Sequence, residues 1–336
     1  MRHFMGIDAG GTKTFCLIGD EEGRIEGFGK AGPGNYEAHG VEAAAVENRK
    51  AIQAALDDVG IDIDDIDSIG MGIAGADIPE DYEMLEREIY TPLFGDKPRV
   101  FHNDSMAGLR GGTRDPFGIV IACGTGCVCA GVNRAGRHTR VGGINEDFGD
   151  QCSGSSIGME GFKAVWRARD GIIEHTRLVD LFVRRAGVAD VDELFDKCYH
   201  GTITYDDLEP MAKLVFDAAF DRDATACDIL EWGGGYLGLM VNAVARELDM
   251  SDDEFDVVMA GSVFKGSSPV LIDTMRTVIH RQAPRARTVM PAFEPVVGAL
   301  LLGMEKSIEI TDSIYGTLSE ELIKAEKRYN VKFRAE

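Results

Sequence analysis

The sequence predicts an α/β protein made of two similar halves. Shifted by about 113 residues, the segment that begins at Phe4 lies over the segment that begins at Phe117. In each, an apolar run of strand length meets a Gly/Thr turn, a second strand follows, and a polar turn containing Gly-Arg comes next. The aligned identities are Phe4/Phe117, Gly11/Gly124, Thr12/Thr125, Cys16/Cys129, Gly23/Gly136 and Arg24/Arg137.

Strands and helices alternate after each hairpin. The first half continues with a helix over 41–60, for which Gly60 is a plausible C-cap, a strand over 67–76, a helix over 79–90, a strand over 99–103 and a helix from 104. The second half continues with helical segments over about 153–247, a strand over 255–263, a helix over 268–280, a strand over 287–293 and a helix over 295–307. This pattern predicts two α/β domains facing one another, with ligands in the crevice between them.

We expect an N-terminal domain over 1–116, joined by a C-terminal helix over 318–336. The second domain covers 117–317 and contains a helical insertion over about 153–250. The alternative is a single large doubly wound sheet without duplication. A hairpin at the start of each half argues against it, because ordinary doubly wound folds lack that feature.

Composition and charge narrow the class of protein. The 336 residues carry a formal net charge of −22, which argues against nucleic acid and anionic membranes as partners, since both require a basic face. Asp8 interrupts any secretory signal, and the least charged stretch, 116–133, is too rich in glycine to span a bilayer. Seven scattered cysteines do not resemble a disulfide framework. We therefore expect a cytoplasmic protein with reduced thiols.

The Gly/Thr turns are candidate phosphate sites. Glycines permit the positive φ that directs successive N–H groups at one point, and such a nest binds oxyanions. Asp8 ends the first strand, where it is well placed to hold Mg²⁺ through water, whereas Ile121 takes its place in the second copy. The alternative is that both are structural hairpin turns. The residues assigned to phosphate are Gly10, Gly11, Thr12 and Lys13 in the first turn and Gly124, Thr125 and Gly126 in the second.

Four motifs occur in an order that resembles a known superfamily. "GIDAGGTKT", "HNDSMAGL", "IACGTGC" and "VVMAGSVFKG" match the phosphate-1, connect-1, phosphate-2 and adenosine motifs of the actin/hexokinase/heat-shock-chaperone ATPases. Within that superfamily the chain resembles the N-acetylglucosamine kinase branch of the benzoyl-CoA-reductase-type ATPase family. The resemblance implies two duplicated actin-like (ribonuclease H-like) domains with a nucleotide cleft between them, ATP and Mg²⁺ as cofactors, a small-molecule sugar substrate and a homodimer.

The resemblance also implies a catalytic residue. Asp104 follows a strand and begins a helix, and in the resembling kinases the aspartate at this position takes the proton from the attacking sugar hydroxyl. A helix N-cap is the structural alternative for Asp104, although Asn103 or Ser105 could fill that role equally well.

Further site residues follow from the same resemblance. Asn35 would hold sugar hydroxyls, and its alternative role is that of a turn residue. Asp150 would contact the substrate, with an N-cap as its alternative. The implied substrate-binding set is Asn35, Gly75, Asp104, Thr125, Gly126 and Asp150, and Gly261 with Ser262 would lie against the adenosine.

One loop departs from the pattern of the branch, which typically has Gly-Gly-Trp-Gly and Gly-Asp-Glu-Gly there. This chain has Ile144 and Asn145 at the first place and Gln151 and Cys152 at the second. An aromatic wall and a carboxylate near the sugar are therefore missing, which leaves the identity of the sugar open.

Three functions remain open from the sequence. The favoured function is an ATP-dependent kinase of an amino sugar such as N-acetylglucosamine or glucosamine. The second is an iron–sulfur ATPase that activates an acyl-CoA dehydratase or reductase, which Cys123, Cys127, Cys129 and Cys152 keep in contention. The third is an ATP-binding regulator without kinase activity. Since Cys129 coincides with Cys16 of the first copy, we expect the thiols to pack behind the second turn.

Overall fold

The computed structural model describes residues 1–335 and divides into two compact units. One unit comprises Met1–Val120 and the chain from Val289 onward, and the other is Ile121–Thr288. The first division lies close to the expected boundary at 116/117. The second lies well before residue 317, where the sequence placed it.

Two five-stranded sheets have the same strand order. The strands are β1 (His3–Ala9), β2 (Thr14–Asp20), β3 (Ile25–Ala31), β4 (Ile66–Ile73), β5 (Arg99–Asn103), β6 (Gly118–Cys123), β7 (Cys127–Val132), β8 (His138–Gly142), β9 (Asp256–Ala260) and β10 (Arg287–Val289). The orders are β3-β2-β1-β4-β5 and β8-β7-β6-β9-β10. The starts of β2 and β7, and of β3 and β8, are separated by the shift that aligns the two halves of the sequence. The duplicated α/β fold is thereby confirmed.

Helices fill the connections between the strands. They are α1 (Tyr36–His39), α2 (Val41–Val59), α3 (Pro79–Leu85), α4 (Thr91–Phe94), α5 (Asp104–Gly112), α6 (Gly154–Arg169), α7 (Arg177–Ala186), α8 (Val191–Tyr199), α9 (Tyr205–Leu208), α10 (Met211–Phe220), α11 (Ala224–Glu247), α12 (Val270–His280), α13 (Pro295–Glu305) and α14 (Asp312–Tyr329). Gly60 ends α2 in the left-handed conformation, as the sequence predicts. Along residues 1–335, no helix combines the length and apolar content that a bilayer span requires.

The first sheet has an apolar layer on each face. Alternate residues of β1 enter different layers, so that Met5 and Ile7 pack in the layer that contains α2, while Phe4 packs in the layer that contains α13 and α14. Within the first sheet β1 pairs antiparallel with β2 and parallel with β4, and β4 pairs parallel with β5. The carboxyl ends of β1, β4 and β5 therefore lie at one edge.

Glycines bring α13 onto the first sheet at backbone distance. Gly6 and Gly70 are register partners on β1 and β4. A Cβ on Gly6 would lie 2.2 Å from the backbone nitrogen of Leu300, and one on Gly70 would lie 2.0 Å from the carbonyl oxygen of Ala299. This contact assigns α13 to the first unit, which is why the division falls at 288/289.

We predict that Gly70→Ala destabilises the first unit. A methyl group there meets a backbone carbonyl that cannot turn away, and overpacking of this kind costs about 1–3 kcal/mol. The midpoint of urea unfolding should therefore fall. Gly316→Ala in α14 is the matched control, because a Cβ there has no heavy atom within 4 Å. An unchanged midpoint for Gly70→Ala would contradict the close seating of α13.

Candidate active site

The turn between β1 and β2 leaves two backbone amides open. The Gly10 N–H donates to the Lys13 carbonyl at 2.9 Å and closes the turn. Gly11 and Thr12 are exposed, and within residues 1–335 their N–H groups donate no hydrogen bond. A Cβ on Gly11 would have no heavy atom within 4 Å. A ligand oxyanion can therefore reach these amides without displacing protein atoms.

The glycines of both turns differ from expectation in their backbone conformation. Positive φ was expected at Gly10 and Gly11, but neither has it, and neither do Gly124 and Gly126. The expectation was wrong because a hydrogen bond across each turn closes it without a left-handed residue. What glycine contributes at Gly11 and Gly126 is an amide surface without a side chain.

Asp8 lies near the carboxyl end of β1, beside the first turn. Its register partners are Phe15 on β2 and Gly72 on β4. A Cβ on Gly72 would lie 3.3 Å from the Cα of Asp104. The absence of a side chain at Gly72 therefore allows α5 to begin close to the end of β1.

The electrostatic environment of Asp8 favours a bound cation. The pKa of Asp8 is raised to about 7: burial raises it most, the charges of Asp104 and Glu294 raise it as well, and the ammonium of Lys13 lowers it. The Lys13 ammonium nitrogen lies 4.1 Å from the ring centroid of Phe15. A divalent cation would relieve the repulsion among these carboxylates, and carboxylate oxygens are ligands that Mg²⁺ accepts. The residues at this edge therefore fit Mg²⁺.

Asp104 is the first residue of α5 and does not cap it. The cap is Asn103, whose side-chain oxygen accepts from the Ser105 N–H at 3.0 Å and from the Ser105 hydroxyl at 2.7 Å. Asn103 therefore takes the role of N-cap that was the structural alternative for Asp104. Its carboxylate is within electrostatic reach of Asp8.

A hydrogen-bond network that the sequence did not reveal runs from the segment before Asp104 to the segment after Asn35. The Asn103 side-chain amide donates to Asp77 at 2.8 Å. Asp81 accepts from the Asp77 N–H at 3.0 Å and from the Tyr36 hydroxyl. One signal in the sequence could have indicated that Asp81 forms hydrogen bonds at the start of a helix. It is the proline at the first position of α3 followed by an acidic residue at the third.

Asn35 and Gly75 lie side by side. The Asn35 N–H donates to the Gly10 carbonyl at 3.3 Å, and its side-chain oxygen accepts from the Glu37 N–H at 2.8 Å as the cap of α1. Gly75 has a φ of +83°, and a Cβ on it would lie 2.9 Å from that same oxygen. The side-chain amide nitrogen of Asn35 is the group left for a ligand, since the oxygen is engaged as a cap.

The second turn joins β6 to β7 and repeats the open amides. The Gly124 N–H donates to the Gly126 carbonyl at 2.9 Å, and Thr125 and Gly126 are exposed. The first N–H of α6, from Gly154, donates to the Gly124 carbonyl at 2.6 Å. The turn is therefore fixed to the start of a helix.

The segment after β9 lies against the second turn. Gly261 has a φ of +103°, and a Cβ on it would lie 2.2 Å from the Cys123 carbonyl oxygen. The Ser262 hydroxyl oxygen is 3.9 Å from the position that a Cβ on Gly124 would take. A cavity of about 310 Å³ opens there, lined by Gly154, Pro210, Ala212, Lys213, Phe216, Asp217, Ser262, Val263, Lys265, Gly266 and Ser267.

The loop between β8 and α6 begins beside the start of β7, where Gly142 pairs with Val128, and ends at the second turn, where the Gly154 N–H donates to the Gly124 carbonyl. Asp150 stabilises this loop, because its carboxylate accepts from the Ile144 N–H at 2.6 Å. The N-cap alternative for Asp150 is wrong, since Ser153 caps α6.

The same loop carries an aromatic ring, Phe148, and a carboxylate, Glu146, at positions other than those typical of the resembling branch. Phe148 is 77% exposed, and Ile144, at the place of the expected tryptophan, is 52% exposed. Glu146 accepts from the Ser156 hydroxyl at 2.7 Å. The residue types missing from the usual positions therefore occur at others.

The cysteines pack behind the second turn as free, buried thiols, as predicted for them. The Cys123 thiol donates to the Cys152 carbonyl at 3.1 Å, and the Cys127 thiol lies 3.8 Å from the Met240 sulfur. Hydrogen bonding to Cys127 and burial raise the pKa of Cys123, and burial raises that of Cys129. Burial therefore favours the protonated thiol at Cys123 and Cys129. Within residues 1–335, no group of three or more His, Cys, Asp or Glu side chains is arranged to hold a metal ion.

Comparison with known proteins reveals relatives along nearly the whole chain. The N-acetyl-D-glucosamine kinase of Dictyostelium discoideum is 29% identical over 312 residues, covering 90% of this chain and 97% of the relative. The N-acetylmuramic acid/N-acetylglucosamine kinase of Clostridium acetobutylicum is 28% identical over 304 residues, covering 90% of this chain and 98% of the relative.

A solved structure shares the fold. A Chromobacterium violaceum protein assigned as an N-acetylglucosamine kinase superposes with a TM-score of 0.64 at 22% identity, covering 90% of this chain and 99% of that one. The model of one family matches residues 5–303, a range that includes the first turn, Asp104, the second turn and Ser262. The chain belongs to the BadF/BadG/BcrA/BcrD ATPase family.

Proposed function

We propose that the protein is an ATP-dependent sugar kinase that phosphorylates a hydroxyl of an amino sugar such as N-acetylglucosamine or glucosamine. The observation that carries this proposal is the convergence of Asp8, Asp104 and the open amides of Gly11 and Thr12 at one edge of the first sheet. The names of the two relatives that match almost end to end support the same acceptor class.

Asp104 serves as the general base. Its carboxylate takes the proton of the acceptor hydroxyl, the acceptor oxygen forms a bond to the γ-phosphorus, and the bond from that phosphorus to the bridging oxygen breaks to release ADP. The Asn103 cap fixes the start of α5 and thereby the base. Asn35 donates to the sugar through its side-chain amide, and Gly75 leaves room beside it.

The turns and the cavity bind the nucleotide. Open amides at Gly11, Thr12, Thr125 and Gly126 donate to phosphate oxygens and stabilise the charge that spreads over them. Asp8 would hold Mg²⁺ through water, and the ion would supply positive charge to the phosphates. The cavity beside Ser262 takes the adenosine.

The sugar contacts of the second unit come from its turn and from the adjoining loop. Thr125 and Gly126 come directly before β7, and the loop from Gly142 begins beside Val128 of that strand. Asp150 shapes that loop through the Ile144 N–H and would act on the sugar chiefly by positioning it.

We predict that Asp104→Ala lowers sugar-dependent ADP release by at least about 100-fold, since positioned bases contribute factors of 10² to 10⁴. A coupled ADP assay with N-acetylglucosamine and glucosamine measures the effect. Asp96→Asn is the control, because Asp96 is an exposed carboxylate in the turn after α4. Unchanged turnover in Asp104→Ala would sink the assignment of the base. Stoichiometric iron in protein purified without oxygen, with no sugar-dependent ADP release, would instead favour the activator of an acyl-CoA enzyme.

We predict that Asp8→Asn changes how the stability of the magnesium-free protein depends on pH. The pKa of Asp8 is about 7 in the folded protein against an ordinary 3.8, so between these values the folded state holds a proton that the unfolded state has lost. Stability contributed by this group therefore falls as pH rises from 4 to 7. The stability of Asp8→Asn relative to that of the parent should be greater at pH 8 than at pH 5 by roughly 2–3 kcal/mol. Urea midpoints measure this difference, and an equal offset at both pH values contradicts it.

We predict that Tyr36→Phe impairs the acceptor side of the reaction more than the nucleotide side. Loss of the hydroxyl removes one of the donors to Asp81 and thereby weakens the network that ends at Asn103. The ratio kcat/KM for the sugar should fall about 10-fold while the KM for ATP stays within a factor of two. Tyr329→Phe is the matched control, because Tyr329 also donates to an aspartate, Asp58, at 2.6 Å in another part of the first unit. Equal losses in both variants would mean that the effect is a general one on stability.

A further inference from the structure

Five aromatic side chains line a cavity in the helical part of the second unit. The cavity has a volume of about 430 Å³, and the rings belong to Phe162, Trp166, Phe195, Tyr199 and Tyr205. Phe162 and Trp166 are four residues apart on α6, and Phe195 and Tyr199 are four residues apart on α8, so each pair lies on one face of its helix. A cavity of this volume accommodates a small molecule.

The five rings form a continuous series of contacts. The ring centroid of Phe162 lies 5.5 Å from that of Tyr205 and 4.9 Å from that of Trp166, with the planes at 85° and 84°. The Trp166 ring lies 5.8 Å from that of Phe195 at 78°, and the Phe195 ring lies 5.8 Å from that of Tyr199 at 20°. Edge-to-face contacts of this kind hold the rings in defined orientations around the cavity.

The packing of the second unit accounts for only part of this cluster. Phe162 is 5% exposed and lies 5.7 Å from Phe182 between ring centroids, as a core residue does. Tyr199 and Tyr205, by contrast, are 76% and 56% exposed. Exposed rings that line an apolar cavity are typical of a binding surface.

The cavity disfavours a cation. None of the described residues that line it is charged, and a charge buried without a partner is costly. The Arg169 guanidinium already lies 4.1 Å from the ring centroid of Phe195 and pairs with Asp192 at 2.8 Å. A second cation beside this ring would be repelled by the first.

An anion is disfavoured as well. Within residues 154–208, the other basic side chains of α6 and α8 pair with acidic neighbours, Lys163 and Arg167 with Glu160, and Lys197 with Glu193. Asp206 and Asp207 add negative charge in the first turn of α9, next to Tyr205. The surroundings of the cavity therefore favour a ligand without charge.

The polar groups of the cavity are too few for a sugar. The Thr204 hydroxyl donates to Asp207 at 2.8 Å and thereby belongs to the start of α9. Among the described lining residues, the other polar side-chain groups are the hydroxyls of Tyr199 and Tyr205 and the Cys198 thiol. The hydroxyls of a hexose would lose water without gaining as many partners, whereas one tyrosine hydroxyl satisfies a ligand with a single polar substituent.

We propose that this cavity is a binding site for an uncharged aromatic molecule of one or two rings. The ligand packs among the aromatic side chains, and its polar substituent bonds the hydroxyl of Tyr199 or Tyr205. None of the residues assigned above to the nucleotide or the sugar lines the cavity, and Trp166 lies about 18 Å along α6 from Gly154 at the second turn. The site therefore does not depend on the proposed kinase activity.

Isothermal titration calorimetry of the full chain tests the class of ligand. The probes are naphthylmethanol, naphthoate and naphthylmethylammonium, which share one ring system and differ in charge. Naphthylmethanol should bind with a dissociation constant of about 100 μM or tighter, and each charged probe should bind about 10-fold more weakly. Absence of naphthylmethanol binding, or a charged probe of equal or higher affinity, overturns the proposal.

Variants of the two tryptophans locate the site. Trp166→Leu should weaken naphthylmethanol binding at least about 10-fold, because a large aromatic wall is lost. Trp232→Leu is the matched control, since the only other tryptophan lies on α11 and does not line the cavity. Tyr199→Leu, at an exposed position that the fold does not need, should weaken binding about 3-fold. Affinity retained in either cavity variant contradicts the location.

Cys198 gives a second readout of the location. Cys198 and Cys227 are half-buried, whereas the other cysteines are buried, and Cys198 lines the cavity while Cys227 lies on α11. Naphthylmethanol at about ten times its dissociation constant should slow the reaction of Cys198 with iodoacetamide about 10-fold and leave that of Cys227 unchanged. Equal slowing of both thiols contradicts the location. Protection of Cys198 by N-acetylglucosamine would identify a sugar site and overturn the choice of an aromatic ligand.

Discussion

The parallel pairing of β1, β4 and β5 is the constraint on which the candidate active site of the first unit depends. Parallel strands end at a common edge, and here the edge gathers Asp8, the Gly75 loop and Asp104 from segments far apart in sequence. Gly72 then allows α5 to begin beside the end of β1. Burial at this edge, together with the charge of Asp104 beside it, therefore raises the pKa of Asp8.

Much of this arrangement could be predicted from the sequence. The repeat between Phe4 and Phe117 predicted the two hairpins, and the strands of both sheets follow the same shift. The sequence also predicted that Asp104 follows a strand and that Gly60 follows a helix. These positions could be predicted because strand ends and helix caps depend on residues that are neighbours in sequence.

What could not be predicted depends on contacts between distant segments. No feature of residues 295–305 themselves indicates which sheet α13 packs on. The helix packs on the first sheet because Gly6 and Gly70, which lack side chains, let its backbone come close. The link from Tyr36 through Asp81 and Asp77 to Asn103 joins the start of α1, the first turn of α3 and the end of β5, and no fixed sequence spacing indicates it. The φ values at Gly10 and Gly11 were wrongly expected, because glycine has several roles and only the folded turn distinguishes them.

The return of the chain to the first unit at Val289 has a consequence for biosynthesis. Residues 121–288 form a contiguous unit, whereas the first unit lacks α13 and α14 until almost the whole chain has been made. During vectorial synthesis the later-encoded unit therefore has all its residues available first, and the apolar face formed by Phe4, Phe15 and Leu17 stays uncovered until the last helices emerge. While the chain is still bound to the ribosome, this apolar face of the N-terminal sheet therefore remains exposed to solvent. Chaperone binding at that face would protect the chain most during this stage.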